Sequence, residues 1–224
     1  MITGASRGIG RAVAERLAAD GYDLHLICRK NENLLKELPG HHYIGNVGDH
    51  HFVSEIFQKI DRLDVLVNNA GISKIGLIQD LTPGAWEELF NVNLTSVYNT
   101  CHFAVPLMLR QHSGRIINIS SQWGCAGAST EAAYAATKGG VNAFTRSLGK
   151  ELAPSNIQVN AIACGVIDTD MNRSFSEEDR LLIKEEIPAG RFGSPEDVAD
   201  LVSSLINTTS YLTGQIIGLD GGWI

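Results

Sequence analysis

The sequence predicts an α/β protein built on an open, doubly wound parallel sheet with helices on both faces. Three observations predict it. Short β-like runs alternate with helical patterns along the whole chain, the order that builds parallel sheets. Several of those runs are almost continuously apolar, as strands covered on both faces must be. A glycine-rich turn near the start opens directly into a helical pattern.

The elements follow in order. "TGASRGIG" (3–10) leads into a helix whose Ile9, Val13 and Leu17 lie on one stripe. The segment before it is so short that the first strand is either very brief or trimmed. Strand candidates are "DLHLIC" (23–28), "HYIGN" (42–46), "LDVLVN" (63–68), "RIINIS" (115–120), "IQVNAIA" (157–163) and "GQIIGL" (214–219). Asp49 caps a helix carrying Val53, Ile56, Phe57 and Ile60 at helical spacing. Thr82-Pro83 marks another start, a cap followed by a proline in the first turn. Pro106, inside a helical pattern, predicts a kink or helix end. The run 175–186, "FSEEDRLLIKEE", predicts an amphipathic helix with its acids in water, and Ser194-Pro195-Glu196-Asp197 carries a capping-box start. Neither a repeat nor a linker divides the chain, so residues 1–224 are expected to form one domain.

Bulk properties exclude several classes. With 224 residues, 44% hydrophobic and 19% charged, the chain can bury a sizeable core. A formal net charge of -7 argues against nucleic acid or a membrane surface as partner. Cys28, Cys101, Cys125 and Cys164 are widely spaced, which suits free thiols in a reducing compartment. No targeting segment or membrane span is read, and the expectation is a soluble cytoplasmic protein. His41, His42, His50 and His51 crowd one region; a metal site is conceivable there, but a solvated edge is the expectation.

Ligands of doubly wound sheets bind outside the carboxyl ends of the strands, so residues there carry the chemistry. In the first turn Gly4, Gly8 and Gly10 allow a tight bend, and the helix that follows offers unpaired N–H groups to a pyrophosphate. The spacing G-x3-G-x-G differs from the usual dinucleotide fingerprint. An acid near the end of the second strand would hold the ribose hydroxyl of NAD. This chain has Cys28-Arg29-Lys30 instead, and Arg29, with Arg7, suits a 2′-phosphate and hence NADP. Further on, "AYAATKGG" sets Tyr134 and Lys138 four residues apart, on one face of a helix. A nearby ammonium favours the phenolate and is expected to lower the tyrosine pKa toward neutrality.

Together with "NNAG" (68–71), "NVNLTS" (91–96), "NISSQWG" (118–124) and "YAATK" (134–138), the glycine turn resembles the short-chain dehydrogenase/reductases. The likeness runs on through "IQVNAIACGVIDTDM" and "RFGSPEDVADLV" to "SYLTGQIIGLDGGWI", essentially the whole chain. Within that family it looks most like the bacterial 3-oxoacyl-acyl-carrier-protein reductases of fatty acid biosynthesis and their paralogues. The resemblance implies a Rossmann-type sheet of about seven strands, a homotetramer or homodimer, and an oxidoreductase reducing a ketone with NADPH. It implies a catalytic set of Asn93, Ser121, Tyr134 and Lys138: Tyr134 gives the proton, Ser121 holds the carbonyl oxygen, Lys138 tunes the phenol and meets the nicotinamide ribose, and Asn93 positions a water. Ser120 competes with Ser121, but alternation along a strand turns it to the opposite face.

For the cofactor the resemblance implies Gly4, Ala5, Ser6, Arg7, Gly8, Ile9 and Gly10 at the pyrophosphate turn and Arg29 at the 2′-phosphate. Asn46 and Val47 fall near the adenine, Asn69, Ala70 and Gly71 on the adenosine side, and Ile167 and Thr169 at the carboxamide. A substrate lid is implied near 168–192. Cys164 stands where relatives carry proline and reads as a buried structural thiol. Trp123 either shapes the pocket or packs. An acyl-carrier-protein substrate, being acidic, would want a basic patch, for which Arg110, Arg115, Arg146 and Lys150 are candidates. A paralogous reductase for another ketone, including one on a modified translation factor, is the alternative. A cofactor-sensing module would typically have lost Tyr134 or Lys138, and a sugar-nucleotide epimerase would want a longer C-terminal region.

Overall fold

The computed structural model describes residues 1–173 and 175–224; Ser174, within the expected lid segment, lies outside the described residues. In chain order the elements are β1 (Ile2–Thr3), α1 (Gly8–Ala19), β2 (His25–Cys28), α2 (Glu32–Lys36), β3 (His41–Ile44), α3 (His50–Phe57), β4 (Val65–Asn68), α4 (Pro83–Phe90), α5 (Ser96–Gln111), β5 (Gly114–Ser121), α6 (Trp123–Ala126), α7 (Ala132–Leu152), β6 (Ile157–Cys164), α8 (Glu177–Glu186), α9 (Pro195–Ile206) and β7 (Ile216–Leu219). The seven strands pair in parallel in the order β3-β2-β1-β4-β5-β6-β7. This is a Rossmann-type sheet. The strand order reverses beside β1, whose carboxyl end therefore opens a crevice.

Two apolar layers sandwich the sheet, and alternation along each strand assigns residues to them. On one side Leu26, Cys28, Val65, Val67, Ile117, Ile119 and Ile162 pack beneath α1 and α9 through Val13, Leu17, Val198 and Val202. On the other, Ile27, Leu66, Ile116, Ile157 and Val159 meet α3, α5 and α7 through Ile56, Val97, Ala104, Met108 and Val141. The expected strands form within a residue or two of their predicted ends, and β1 spans Ile2–Thr3.

Local signals explain the helix starts. Asp49 accepts from the N–H groups of His51 and Phe52, Thr82 from Ala85, and Ser194 and Asp197 form a reciprocal capping box. Ser176 and Asp179 form a second one at α8. Of the kink or helix end expected at Pro106, the end does not occur: α5 continues through it to Gln111, held against the sheet by Val97, Ala104, Leu107 and Met108 on one face. Helix α8 exposes its acids as expected, but Leu181 and Leu182 are 60% and 56% exposed. No helix among the described residues is long and apolar enough to cross a membrane.

Candidate active site

The carboxyl ends of β1, β2, β4, β5 and β6 surround one cavity of about 910 Å³, which runs from the glycine turn to Tyr134 and on to Trp123 and Trp223. At its phosphate end Gly4 and Gly8 adopt left-handed φ values of +68° and +52°, accessible to glycine at little cost. Gly10 is required for a different reason, since a Cβ there would sit 2.3 Å from the Gly4 carbonyl and 2.5 Å from the Asn69 side chain. It lets α1 close against the turn. Ala5 is fully buried beneath the turn, so Ala5 and Gly10 support the site while Gly4, Ser6, Arg7, Gly8 and Ile9 line it. No side chain caps the N-terminus of α1. Its first N–H groups face the cavity with the partial positive charge that suits a phosphate.

Asn69 turns inward: its amide donates to the carbonyls of Thr3 and Gly4 at 3.0 and 3.2 Å. Thr3 Oγ1 accepts from the backbone of Asn69 and Ala70 at 3.0 and 2.9 Å. Thr3 is thus a hinge-pin between β1 and β4 that sequence reasoning does not single out. Asn46 is tied to Asn91 and to the Gly48 N–H, at 3.3 and 3.1 Å, beside buried Val47. Arg29 lies against Glu88 at 3.3 Å, and Lys74 holds the other oxygen of that carboxylate at 3.0 Å. These two cations pull the Glu88 carboxyl below its ordinary value. Arg7 reaches Asp170 at 3.4 Å. Ile167 and Thr169 also line the cavity.

Tyr134 and Lys138 project from α7 as the i, i+4 pair expected, both buried. Their relation differs from expectation. The Lys138 Nζ stands 5.7 Å from the Tyr134 ring centroid and donates to the Ile119 carbonyl at 2.8 Å. Burial dominates both groups. It pushes the Tyr134 phenol well above its ordinary value, only partly offset by the hydrogen bond with Ser121, and it lowers Lys138 to about 8. The expected depression of the phenol is therefore not a property of the protein alone: desolvation outweighs the neighbouring ammonium.

Serine choice follows the sheet. Both serines border the cavity, but Ser120 donates to Asn142 of α7 at 2.6 Å, whereas Ser121 accepts from the Trp123 N–H at 3.2 Å and hydrogen-bonds Tyr134. Asn93 sits in a π-helical turn, Asn91–Thr95. Its side chain donates to Ile72 O at 2.9 Å and Thr137 at 3.1 Å and accepts from Ile72 N at 2.8 Å. Both amide hydrogens and one lone pair of the oxygen thus tie Asn93 to the Ile72 backbone and to Thr137.

The remaining residues divide between wall and elsewhere. Trp123 lines the cavity and meets Trp223 with ring centroids 5.1 Å apart; only the fold brings these tryptophans together. Glu131 and Ser73, also missed by sequence reasoning, hydrogen-bond at 2.5 Å on the same wall. Cys164 lines the cavity yet is buried, its thiol pushed up to about 12. Over the opening, Phe175 and Ile183 face the cavity, and Arg180 pairs with Asp168 at 2.9 Å while stacking on Phe192 at 4.8 Å. The four arginines and lysines expected near the cleft lie elsewhere. Arg115 is at the amino end of β5, bonded to the Gly114 and Thr208 carbonyls, and Arg146 and Lys150 border a separate hollow with Gly214 and Gln215. Arg110 is in the last turn of α5. The cations at the cavity are Arg7, Arg29, Lys30 and Lys138.

A seven-stranded Rossmann-type sheet, a glycine turn at an uncapped helix and a buried Tyr-Lys-Ser group in one cleft define a dinucleotide-binding oxidoreductase. Similar proteins agree. Residues 1–180 match the family model described as short chain dehydrogenase. A 3-oxoacyl-[acyl-carrier-protein] reductase from Thermotoga maritima is 41% identical over 100% of this chain and 96% of its own. Among solved structures, ligand-free aldohexose dehydrogenase of Thermoplasma acidophilum superposes with a TM-score of 0.91 at 32% identity, over 99% of this chain and 92% of that one. YwfH, an NADPH-dependent reductase involved in bacilysin biosynthesis, gives 0.92 at 28%, over 100% and 96%. The chain belongs to the short-chain dehydrogenase family. It is an oxidoreductase acting on CH–OH or C=O groups, in a family that uses a nicotinamide cofactor.

Proposed function

We propose that the protein is an NADPH-dependent carbonyl reductase of the 3-oxoacyl-acyl-carrier-protein reductase kind. The observation that carries this reading is the convergence of Ser121, Tyr134 and Lys138 on the cavity that the glycine turn also lines. When bound, the reduced nicotinamide supplies the hydride. Gly4, Ser6, Arg7, Gly8 and Ile9 would hold its pyrophosphate, Arg29 the 2′-phosphate after releasing Glu88, Asn46 and Val47 the adenine, and Ile167 and Thr169 the carboxamide end.

The protein's part is to receive the negative charge that grows on the ketone oxygen. Ser121 donates to that oxygen and Tyr134 gives it a proton, an oxyanion-type stabilisation in a water-poor site. Since burial raises the phenol pKa, Tyr134 stays protonated through neutral pH, the state reduction requires. Lys138 would hold the ribose and bring its ammonium toward the phenol, and Asn93 steadies the Ile72 backbone beside it. The segment 168–192 would serve as the lid of a single catalytic domain spanning 1–224. Cytoplasmic location and a homotetrameric or homodimeric assembly belong to the same proposal.

An acyl-carrier-protein thioester is the first substrate to test, and the name and 41% identity of the Thermotoga relative support it. The Trp123–Trp223 wall favours a second reading, a ketone carrying a bulky or aromatic substituent, such as a paralogous reductase would use. The test is NADPH oxidation over a panel of carrier-linked, small and aromatic ketones, with Tyr134→Phe alongside. Loss of turnover with cofactor binding retained is expected; a Tyr134→Phe enzyme that still turns over sinks the mechanism.

A further inference from the structure

At the amino ends of β2 and β3, away from the cavity, the register pairs His25 with His41. Alternation along the two chains places Asp23 and Tyr43 on the same face as this pair. The two imidazoles stack with centroids 4.8 Å apart and planes 18° apart, and His41 Nε2 is 3.7 Å from Asp23 Oδ2. One ligand atom from each of Asp23, His25 and His41 lies within 4.8 Å of the other two. His25 Nδ1 contacts the Tyr43 hydroxyl at 3.0 Å. When Nδ1 donates its proton to that oxygen, Nε2 keeps a lone pair, the outer-shell arrangement that orients metal-binding histidines.

The backbone under this group is built, not incidental. Gly40 adopts φ +115°, and a Cβ there would lie 2.4 Å from the Leu24 carbonyl. The same carbonyl accepts from the His41 N–H at 2.7 Å. The starts of β2 and β3 are thereby locked together, and the donors can adjust only at their side chains.

We propose that Asp23, His25 and His41 form a binding site for one divalent transition-metal ion of the zinc or nickel class, separate from the reductase cavity. Two imidazoles and a carboxylate select such ions over calcium or magnesium, which prefer an all-oxygen set. Tetrahedral coordination at about 2.1 Å puts ligand atoms roughly 3.4 Å apart. Rotation of the Asp23 and His41 side chains, 77% and 58% exposed, closes the observed gap. Three protein ligands leave a position for water. A bound ion would cross-link β2 to β3, the edge strand of the sheet, and so stabilise the folded state by mass action.

The test is calorimetric titration of the tag-free protein with zinc chloride, backed by thermal melts with and without zinc. One saturable equivalent and a raised melting temperature are expected. His41→Ala and Asp23→Asn, both exposed substitutions, should each weaken binding at least about tenfold. His102→Ala, which alters the separate His50–His102 pair at 5.2 Å, should leave it unchanged. Failure to take up zinc saturably overturns the proposal. So does uptake indifferent to His41→Ala and Asp23→Asn, which would assign the ion to exposed Cys125 or to the other histidines.

Discussion

Replacing Lys138 by methionine removes a buried ammonium while keeping most of the side chain's length. In the folded protein the group's pKa falls from 10.5 to about 8, chiefly through desolvation. At about 1.4 kcal/mol per pH unit, that drop measures a cost of about 3 kcal/mol for holding the charged form. Against it stands the hydrogen bond to the Ile119 carbonyl at 2.8 Å, whose loss costs about 1 kcal/mol. The Lys138→Met protein should gain about 2 kcal/mol at pH 7, or roughly 4 to 8 °C in melting temperature for a chain of this size. The sign with pH is fixed by linkage. Between about 8 and 10.5 the unfolded chain binds the proton that the folded one has lost, so wild-type stability rises with pH across that window. The mutant's advantage is therefore largest below pH 8 and vanishes by pH 10.5. Thermal melts of cofactor-free protein at pH 7 and pH 10 measure it, with turnover assayed in parallel and expected to collapse. A mutant that melts no higher than wild type at pH 7, or whose advantage persists unchanged at pH 10, refutes the reasoning.

Arg29→Asp should lower kcat/KM for NADPH about ten- to hundredfold, the worth of a charge-assisted phosphate contact, and shift preference toward NADH; steady-state kinetics with both cofactors check it. Gly10→Ala forces a Cβ onto the Gly4 carbonyl and should destabilise by about 3 kcal/mol and abolish cofactor binding. Gly21→Ala, at φ +87° with open space around it, should cost only about 1 to 2 kcal/mol of backbone strain and spare binding; equal effects in calorimetry would contradict the steric account. Trp223→Ala should raise KM for a bulky or aromatic ketone severalfold with little change for a small one, since it removes half of the aromatic wall; a uniform effect across substrates would detach that wall from specificity.

What the sequence made legible is what depends on local spacing. Apolar runs marked the strands, and Asp49, Thr82 and Ser194 announced their helices because capping is decided within a few residues. The resemblance points to Ser121, and alternation along the strand only sets it apart from Ser120. Features set by register and burial were invisible. Nothing in the spacing of Asp23, His25 and His41 shows that parallel pairing of β2 with β3 gathers them, and the meeting of Trp123 with Trp223 needs the C-terminus folded back across the cavity. The direction of the Tyr134 pKa shift escapes the sequence for the same reason. A sequence displays the neighbouring charge of Lys138 but not the depth at which both groups are buried.

Helix α7 holds two occupations along a single stripe. Tyr134 and Lys138 enter the cavity, and on continuing turns Asn142 and Thr145 receive hydrogen bonds from Ser120 and from Asn118 at 2.9 Å in β5. Because each residue advances a helix by about 100°, deleting or inserting one residue between Lys138 and Asn142 would swing the reactive pair off the cleft while the rivets to the sheet stayed put. Length changes in this protein must therefore accumulate elsewhere, for instance in the exposed turn at 127–130 ahead of the helix. The 21 residues of α7 behave as a fixed-length spacer, a ruler between the sheet and the reacting atoms.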